Sequence, residues 1–325
     1  VIAVIGGAGY IGSHMVKYLL EHNEQVVVFD NFSTGHRELI PQSVDVVEGD
    51  LANISDLRKL FEQYADIDSV IHFAAFAYVG ESVQQPAKYY RNNLANTINL
   101  LDTLLEYNVK NIVFSSTCAT YGNPITVPIA EDHPQNPINP YGRTKLMMEQ
   151  MIEDYADAYG LQFAALRYFN AAGAAEDCGI GEWHEPETHL IPLILDVALG
   201  KLPSIKIFGS DFDTKDGTCI RDYIHVMDLA DAHYKALQYL STKQGSLKLN
   251  LANGEGYSNL DVVKMVERIS GKTIQYELTD RRVGDPGKLI GSADAAQRLI
   301  GWKATRNLDS IIKSAWNWHQ SKFGG

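Results

Sequence analysis

Short runs of Val, Ile, Leu and Phe punctuate the first half of the chain, at residues 1–5, 25–29, 44–47, 69–73, 111–114 and 163–166. They lack the in/out alternation of a strand with one wet face, so each predicts a strand buried on both faces of a parallel sheet. Between them, residues 11–21, 54–64, 93–107 and 141–159 carry apolar side chains at helical spacing. In 93–107, Leu94, Ile98, Leu101 and Leu105 recur at intervals of three and four, which predicts a single buried helix face. Strands alternating with helices through right-handed crossovers give an α/β fold with a doubly wound, mostly parallel sheet. The pattern loosens after residue 171, where Gly173, Gly179, Gly181, Pro186 and Pro192 mark long loops. We expect a first domain at 1–170 and a smaller, mixed α/β domain at 171–325, with the helical stretch 226–240 packing back on the first.

Gly6, Gly9 and Gly12 follow the first strand and open the first helix. Glycines so placed give a tight turn, let the backbone approach a pyrophosphate, and pack helix closely on strand. The helix N-terminus then offers its free N–H groups and positive dipole end to phosphates. In a chain that continues strand, helix, strand, this predicts a Rossmann dinucleotide site. Asp30 closes the second run, where a carboxylate accepts hydrogen bonds from ribose hydroxyls and repels a 2′-phosphate, favouring NAD over NADP. The plainer reading is an Asp that begins a turn. Asp50 and Leu51 follow the third run, where an adenine edge would be read.

Tyr141 and Lys145 stand four apart at the start of a helix after Pro140, so their side chains share one face. An unperturbed tyrosine, with a pKa near ~10, is a poor base at neutral pH; a neighbouring ammonium and the positive ring of an oxidised nicotinamide both favour its phenolate. Ser115, Ser116 and Thr117 end the fifth strand, and ligands of open α/β sheets bind beyond the carboxyl ends of the strands. A Thr117 hydroxyl there can bridge a substrate oxygen and the Tyr141 phenol. The alternative is a cluster that satisfies turn backbone groups.

Lys and Arg total 28 against 40 Asp and Glu, a formal net charge of −12, the wrong sign for unspecific nucleic-acid binding. No apolar run approaches the ~20 residues that cross a bilayer, and the N-terminal strand runs straight into the glycine loop, so we expect neither a membrane span nor a signal peptide. Cys118, Cys178 and Cys219 are sparse and show no CxxC spacing, which fits a reducing cytoplasm without disulfides. His184 and His189 lie five apart with Pro186 between, unlike a metalloprotease helix. The segment 211–216 begins like a calcium loop but has Lys215 and Asp216 where an oxygen ligand and a glycine belong. We expect no metal.

The glycine loop, Thr117, Tyr141 and Lys145 together resemble an extended short-chain dehydrogenase/reductase. Asp30-Asn31, 80–83, 166–170, Gly217-Thr218, 221–226 and the Arg281-Arg282-x-Gly284-Asp285 stretch sharpen this to the UDP-glucose 4-epimerase family, in order along nearly the whole chain. The resemblance implies Tyr141 as acid/base, Lys145 as its tuning partner and ribose ligand, and Thr117 as the hydrogen-bonding hydroxyl. It implies an NAD site lined by Gly6, Gly9, Tyr10, Ile11, Gly12, Asp30, Asn31, Asp50, Leu51, Phe73, Ala74, Asn92, Ser115, Lys145 and Phe169. A UDP-sugar would be held by Asn170, Arg221, Arg282 and Asp285 beside Thr117 and Tyr141. It further implies a homodimer pairing the helices at 93–107 and 141–159. The chain departs from the family in having Ala77 where a lysine is common and Thr117 where a serine is frequent; His189 stands where some members have an asparagine near the substrate, and Leu289 where size governs N-acetyl sugars. A nucleotide-sugar 4,6-dehydratase or decarboxylase is the nearest alternative, but these usually carry a carboxylate at or near the residues that follow this Thr. Here Cys118-Ala119-Thr120 follow. A non-catalytic NAD-dependent sensor could dispense with the Tyr141/Lys145 pair, which this chain keeps.

Overall fold

A computed structural model describes residues 1–324 except 178, 243, 244, 283 and 284. The six runs form β1 (Ile2–Ile5), β2 (Val26–Asp30), β3 (Asp45–Glu48), β4 (Ser69–His72), β5 (Asn111–Thr117) and β6 (Gln162–Tyr168). With Leu247–Leu251 they make a seven-stranded sheet in the order 247–251, β6, β5, β4, β1, β2, β3, every neighbouring pair parallel. The winding reverses between β1 and β4, which opens a crevice at their carboxyl ends.

Successive residues of each strand serve opposite cores, which is why the runs are continuously apolar. Val4, Val28, Ile71 and Val113 face Met15, Val16 and Leu229 on one side. Ala3, Ile5, Phe29, Val70 and Phe114 face Leu57, Leu100, Leu104 and Ile152 on the other. Helices Tyr10–Glu21, Ile54–Gln63 and Pro140–Tyr159 fall where the spacing puts them.

The stretch 93–107 does not bury the face expected of it. It is a π-helical turn, Tyr90–Ala95, followed by an α-helix, Asn96–Glu106. That α-helix buries Thr97, Leu100, Leu101, Thr103 and Leu104, while Ile98 is 40% exposed. The wider π turn resets the phase of the face. The buried threonines, which read as polar, bond back to carbonyls one turn earlier, Thr97 to Asn93 at 2.6 Å and Thr103 to Asn99 at 2.7 Å.

The chain crosses the expected division at residue 170 twice. Helix Val226–Ser241 packs on Tyr10–Glu21, where the Tyr18 hydroxyl donates to Asp231 at 2.8 Å, and Leu247–Leu251 then becomes an edge strand of the large sheet. The remaining second-half elements form a smaller mixed layer. It contains the parallel pair Ile205–Phe208 and Tyr276–Thr279, a three-stranded sheet of Tyr257–Ser258, Ile220–Arg221 and Lys288–Leu289, and helices Leu190–Ala198, Asn259–Ser270 and Leu308–Phe323. Ile194, Ile207, Val262, Ile311 and Ile312 fill its core. Among the described residues no helix is long and apolar enough to cross a membrane.

Candidate active site

The three loop glycines have different jobs. Gly6 has φ +80°, and a Cβ there would sit 2.6 Å from the Ala74 nitrogen. A Cβ on Gly12 would lie 2.2 Å from the Gly6 carbonyl oxygen, so helix and turn touch only because both are bare. Gly9 is the open one: its nearest neighbour is the Gly6 oxygen at 3.5 Å. It caps helix Tyr10–Glu21 without a side chain over the helix end, which leaves the approach to that end clear, as a phosphate requires.

Around this loop the strand ends form a rim. Asp30 accepts from the Ala8 and Phe32 nitrogens at 2.9 and 2.8 Å, so its carboxylate clamps the glycine turn; each oxygen keeps a lone pair for a ribose hydroxyl. Burial raises its pKa, opposed by these backbone donors. Asp50 accepts from Asn31 and from the Ala52 nitrogen, both at 2.8 Å, and the buried Leu51 receives Asn99 on its carbonyl at 2.9 Å. Phe73 and Ala74 donate to the Ile5 carbonyl at 2.8 and 3.1 Å, holding the exit of β4 against the glycine turn. Tyr10 reaches across to the Gly173 carbonyl at 2.6 Å, and Ile11 packs with Val226 and Met227. An open glycine cradle at an uncapped helix end, with a carboxylate at the end of β2, fits NAD.

Thr117 ends β5, and Tyr141 lies in the first turn of Pro140–Tyr159. Asn139 caps that helix by accepting from the Gly142 nitrogen at 2.8 Å. A Cβ on Gly142 would lie 2.5 Å from the Ala119 oxygen, so this glycine brings the helix start against the segment after β5. Burial pushes the Tyr141 phenol up to about 12, while its hydrogen bond with Thr117 pulls it down. Lys145 is 2% exposed, donates to the Ser115 carbonyl at 2.7 Å, and lies 4.8 Å from the Phe114 ring centroid. Burial lowers it to about 7, opposed by Glu149. The expected lowering of the phenol rests on the Lys145 ammonium and an oxidised nicotinamide together; in the protein alone burial outweighs the Thr117 hydrogen bond, and Lys145 is itself desolvated and hydrogen-bonded to Ser115.

The second layer supplies the other side. Asn170 donates through its backbone nitrogen and Nδ2 to the Asp222 carbonyl at 3.0 and 3.1 Å. Arg221 is ion-paired with Asp285, and the Arg282 guanidinium stacks 3.9 Å from the Phe208 centroid. Asp285 bonds back to the Arg282 carbonyl at 3.3 Å, which draws the three together. Gly284 of this motif lies outside the described residues. Phe169 is buried so closely under Gly291 that a Cβ there would lie 2.4 Å from its ring.

Residues 2–252 match the model of the NAD dependent epimerase/dehydratase family. The chain belongs to that family. It is 50% identical to a UDP-glucose 4-epimerase of Halalkalibacterium halodurans over 98% of this chain and 95% of that one. Among solved structures, the UDP-glucose 4-epimerase of Brucella ovis in complex with NAD superposes with a TM-score of 0.95 at 48% identity, covering 99% of this chain and 98% of that one. The Bifidobacterium longum enzyme in complex with NAD+ and UDP gives 0.95 at 37% identity, covering 100% and 99%.

Several residues of this NAD dependent epimerase/dehydratase site escaped sequence reasoning. Glu149, one helical turn beyond Lys145, accepts from Ser116 and from the Arg167 guanidinium (Nη2 at 2.7 Å), and all three are buried. Asn92 donates to Asn93 at 3.0 Å; Asn93, fully buried on the π turn, holds both the nitrogen and the carbonyl of Phe76 at 2.9 and 3.0 Å. Asp222 accepts from the Asn253, Gly254 and Gly291 nitrogens at 2.9, 3.0 and 3.3 Å, a clamp on three loops within the 221–226 stretch that carries part of the family resemblance. The only signal for these is a polar residue inside an apolar pattern. Cys118 and Cys219 are free and buried, and Cys178 lies outside the described residues. Asp211 is ion-paired with Arg281 at 2.6 Å, and Asp216 caps Thr218 at 3.0 Å, so the calcium-like segment does not gather its oxygens. The segment 182–189 behaves otherwise. Glu182, His184, Glu187 and His189 converge, with ligand atoms all within 4.8 Å of one another.

Proposed function

We propose that the protein interconverts UDP-galactose and UDP-glucose by transient oxidation at sugar C4. One observation carries this: at the carboxyl end of β5 Tyr141 is hydrogen-bonded to Thr117 and Lys145 to the Ser115 carbonyl, and no carboxylate follows Thr117 to remove water from a keto sugar. Full-length similarity to UDP-glucose 4-epimerases supports the same reading.

NAD supplies the hydride acceptor at C4 and returns the hydride to the other face of the sugar, with no net redox. Tyr141 takes the O4 proton and gives it back, with the Thr117 hydroxyl bridging phenol and O4. Bringing a phenol from about 12 into the neutral range takes roughly 7 kcal/mol of differential stabilisation. A cationic nicotinamide ring against the phenol is the charge that the protein alone lacks. Lys145, near neutrality and fixed on Ser115, holds the ribose. Asn170, Arg221, Arg282 and Asp285 hold the diphosphate end while the sugar turns over. The active unit is a homodimer, and the sparse free cysteines suit a cytoplasmic enzyme.

Purified protein incubated with UDP-galactose should yield UDP-glucose without consuming added NAD. Tyr141→Phe should lower turnover by about 10²–10⁴-fold. A 4-keto-6-deoxy product would replace this reading with a dehydratase, and NAD binding without conversion of any UDP-hexose would replace it with a sensor.

A further inference from the structure

The histidines of residues 182–189 fail every helical metal motif, yet the loop folds them onto a common point with two carboxylates. His184 Nδ1 lies 3.5 Å from Glu182 and 3.2 Å from Glu187; His189 Nδ1 lies 3.2 Å from Glu182 and 2.8 Å from Glu187. Each imidazole therefore turns one nitrogen toward both carboxylates at once. A nitrogen carries a single proton, so it can donate to one of them but not to both. Each imidazole hydrogen-bonds its own oxygen of Glu187, His184 at 3.2 Å and His189 at 2.8 Å, which leaves Glu182 facing both rings with no proton for it. A tetrahedral zinc with ligands at roughly 2.0–2.2 Å sets its donors about 3.3–3.6 Å apart, so binding would even out a cluster whose ligand atoms now lie within 4.8 Å of one another.

A second observation concerns Glu182 alone. Its side chain is 8% exposed, and among the described residues its carboxylate receives no hydrogen bond; its partners are the two imidazoles, at ion-pair distance. Buried carboxylates are normally hydrogen-bonded or paired with a cation. Glu187 is oriented as metal ligands usually are, by outer hydrogen bonds: its Oε1 accepts from the Thr188 and His189 nitrogens, both at 2.7 Å. Two carboxylates and two neutral imidazoles carry a charge of about −2, which a divalent ion cancels. Two nitrogen donors favour a transition metal over calcium or magnesium.

We propose that Glu182, His184, Glu187 and His189 form a four-ligand site for a divalent transition-metal ion of the zinc class. With four protein ligands the site is closed and structural, not catalytic. The exposed edge of His189 gives the ion its way in. The Tyr10 and Tyr78 rings lie 6.1 and 6.4 Å from the His184 ring, so the ion fixes this loop beside the glycine turn.

The test uses untagged protein stripped with a chelator, then titrated with Zn²⁺ alone and with Co²⁺ alone. We expect one equivalent of zinc per chain, intense tetrahedral d–d bands with cobalt, and a rise in unfolding temperature with zinc. His184→Gln and Glu182→Gln should each weaken zinc about 100-fold or more and abolish the cobalt bands, with unchanged far-ultraviolet circular dichroism. Wild-type protein that shows no saturable zinc binding, or only weak octahedral cobalt bands, overturns the proposal. So does zinc binding that both variants retain. These readouts are independent of epimerisation, so the site and the activity stand or fall separately.

Discussion

At Tyr141 two opposed effects act on one hydroxyl: burial pushes the phenol up to about 12 and the Thr117 hydrogen bond pulls it down. In the proposed mechanism the phenolate is the base, so loss of the Thr117 hydroxyl raises the pKa and moves the acid limb of kcat/KM to higher pH. A hydrogen bond to a charged group contributes about 1.5–3 kcal/mol, equivalent to about one to two pH units. Thr117→Val should therefore shift that limb upward by about one to two units, whereas Thr117→Ser should leave it in place. Kinetics of the NAD-loaded enzyme across pH check both, and an unshifted limb for the valine variant would remove Thr117 from the proton path. The residue types at 117, 141 and 145 could be read from the chain because their spacing matches their chemistry. Their charge balance could not, since it depends on burial and on where Lys145 spends its amine, on Ser115 at 2.7 Å.

One element, helix Pro140–Tyr159, carries both Tyr141 and Lys145, and besides the apolar contacts of Met148 and Ile152 a buried polar group ties it to the sheet. Glu149 joins Ser116 of β5 to Arg167 of β6, and Arg167 also donates to the Tyr121 hydroxyl at 2.9 Å and to Gln135 at 3.2 Å. The pair is 3% and 1% exposed. Breaking a buried pair strands the remaining charge, at a cost of about 3–5 kcal/mol. Glu149→Gln should destabilise the protein by that amount in urea unfolding. It should also lower the Lys145 pKa further, because Glu149 is what raises it. A loss below about 1 kcal/mol would mean that the helix is held by its apolar face alone. The position of this helix was legible in its length and in the Pro140 before it; Glu149 was not, because a glutamate in a helix reads as a solvated face until the strand behind it is known. The π turn at Tyr90–Ala95 was hidden for a related reason. The α-helix that follows it, Asn96–Glu106, buries threonines whose hydroxyls are satisfied within the helix.

Over the whole molecule, local periodicity revealed the strands of the first half and left out Leu247–Leu251, a short run that enters the sheet from the far side of a long excursion. Contacts between distant segments leave no periodic trace, as at Asp228, which accepts from the Thr305 and Arg306 nitrogens at 2.9 Å each. Faces left uncovered do leave one. The stripe read as core in 93–107 includes Ile98, which is 40% exposed, and Met147 on the neighbouring catalytic helix is also 40% exposed. The two helices are tied together by the Tyr155 hydroxyl on Asp102 at 2.7 Å. Two exposed apolar side chains on adjacent helices are what a second copy would cover if it applied the same pair of helices about a two-fold axis, as the proposed homodimer does. Each mutated side chain then appears twice in the interface, so one charge per helix is felt four times. Ile98→Glu with Met147→Glu should convert the proposed dimer to a monomer in light scattering while the single-chain fold, followed by circular dichroism, persists. If the double variant keeps the mass of the wild type, the pairing of these helices is wrong and the exposed stripe belongs to no interface between copies.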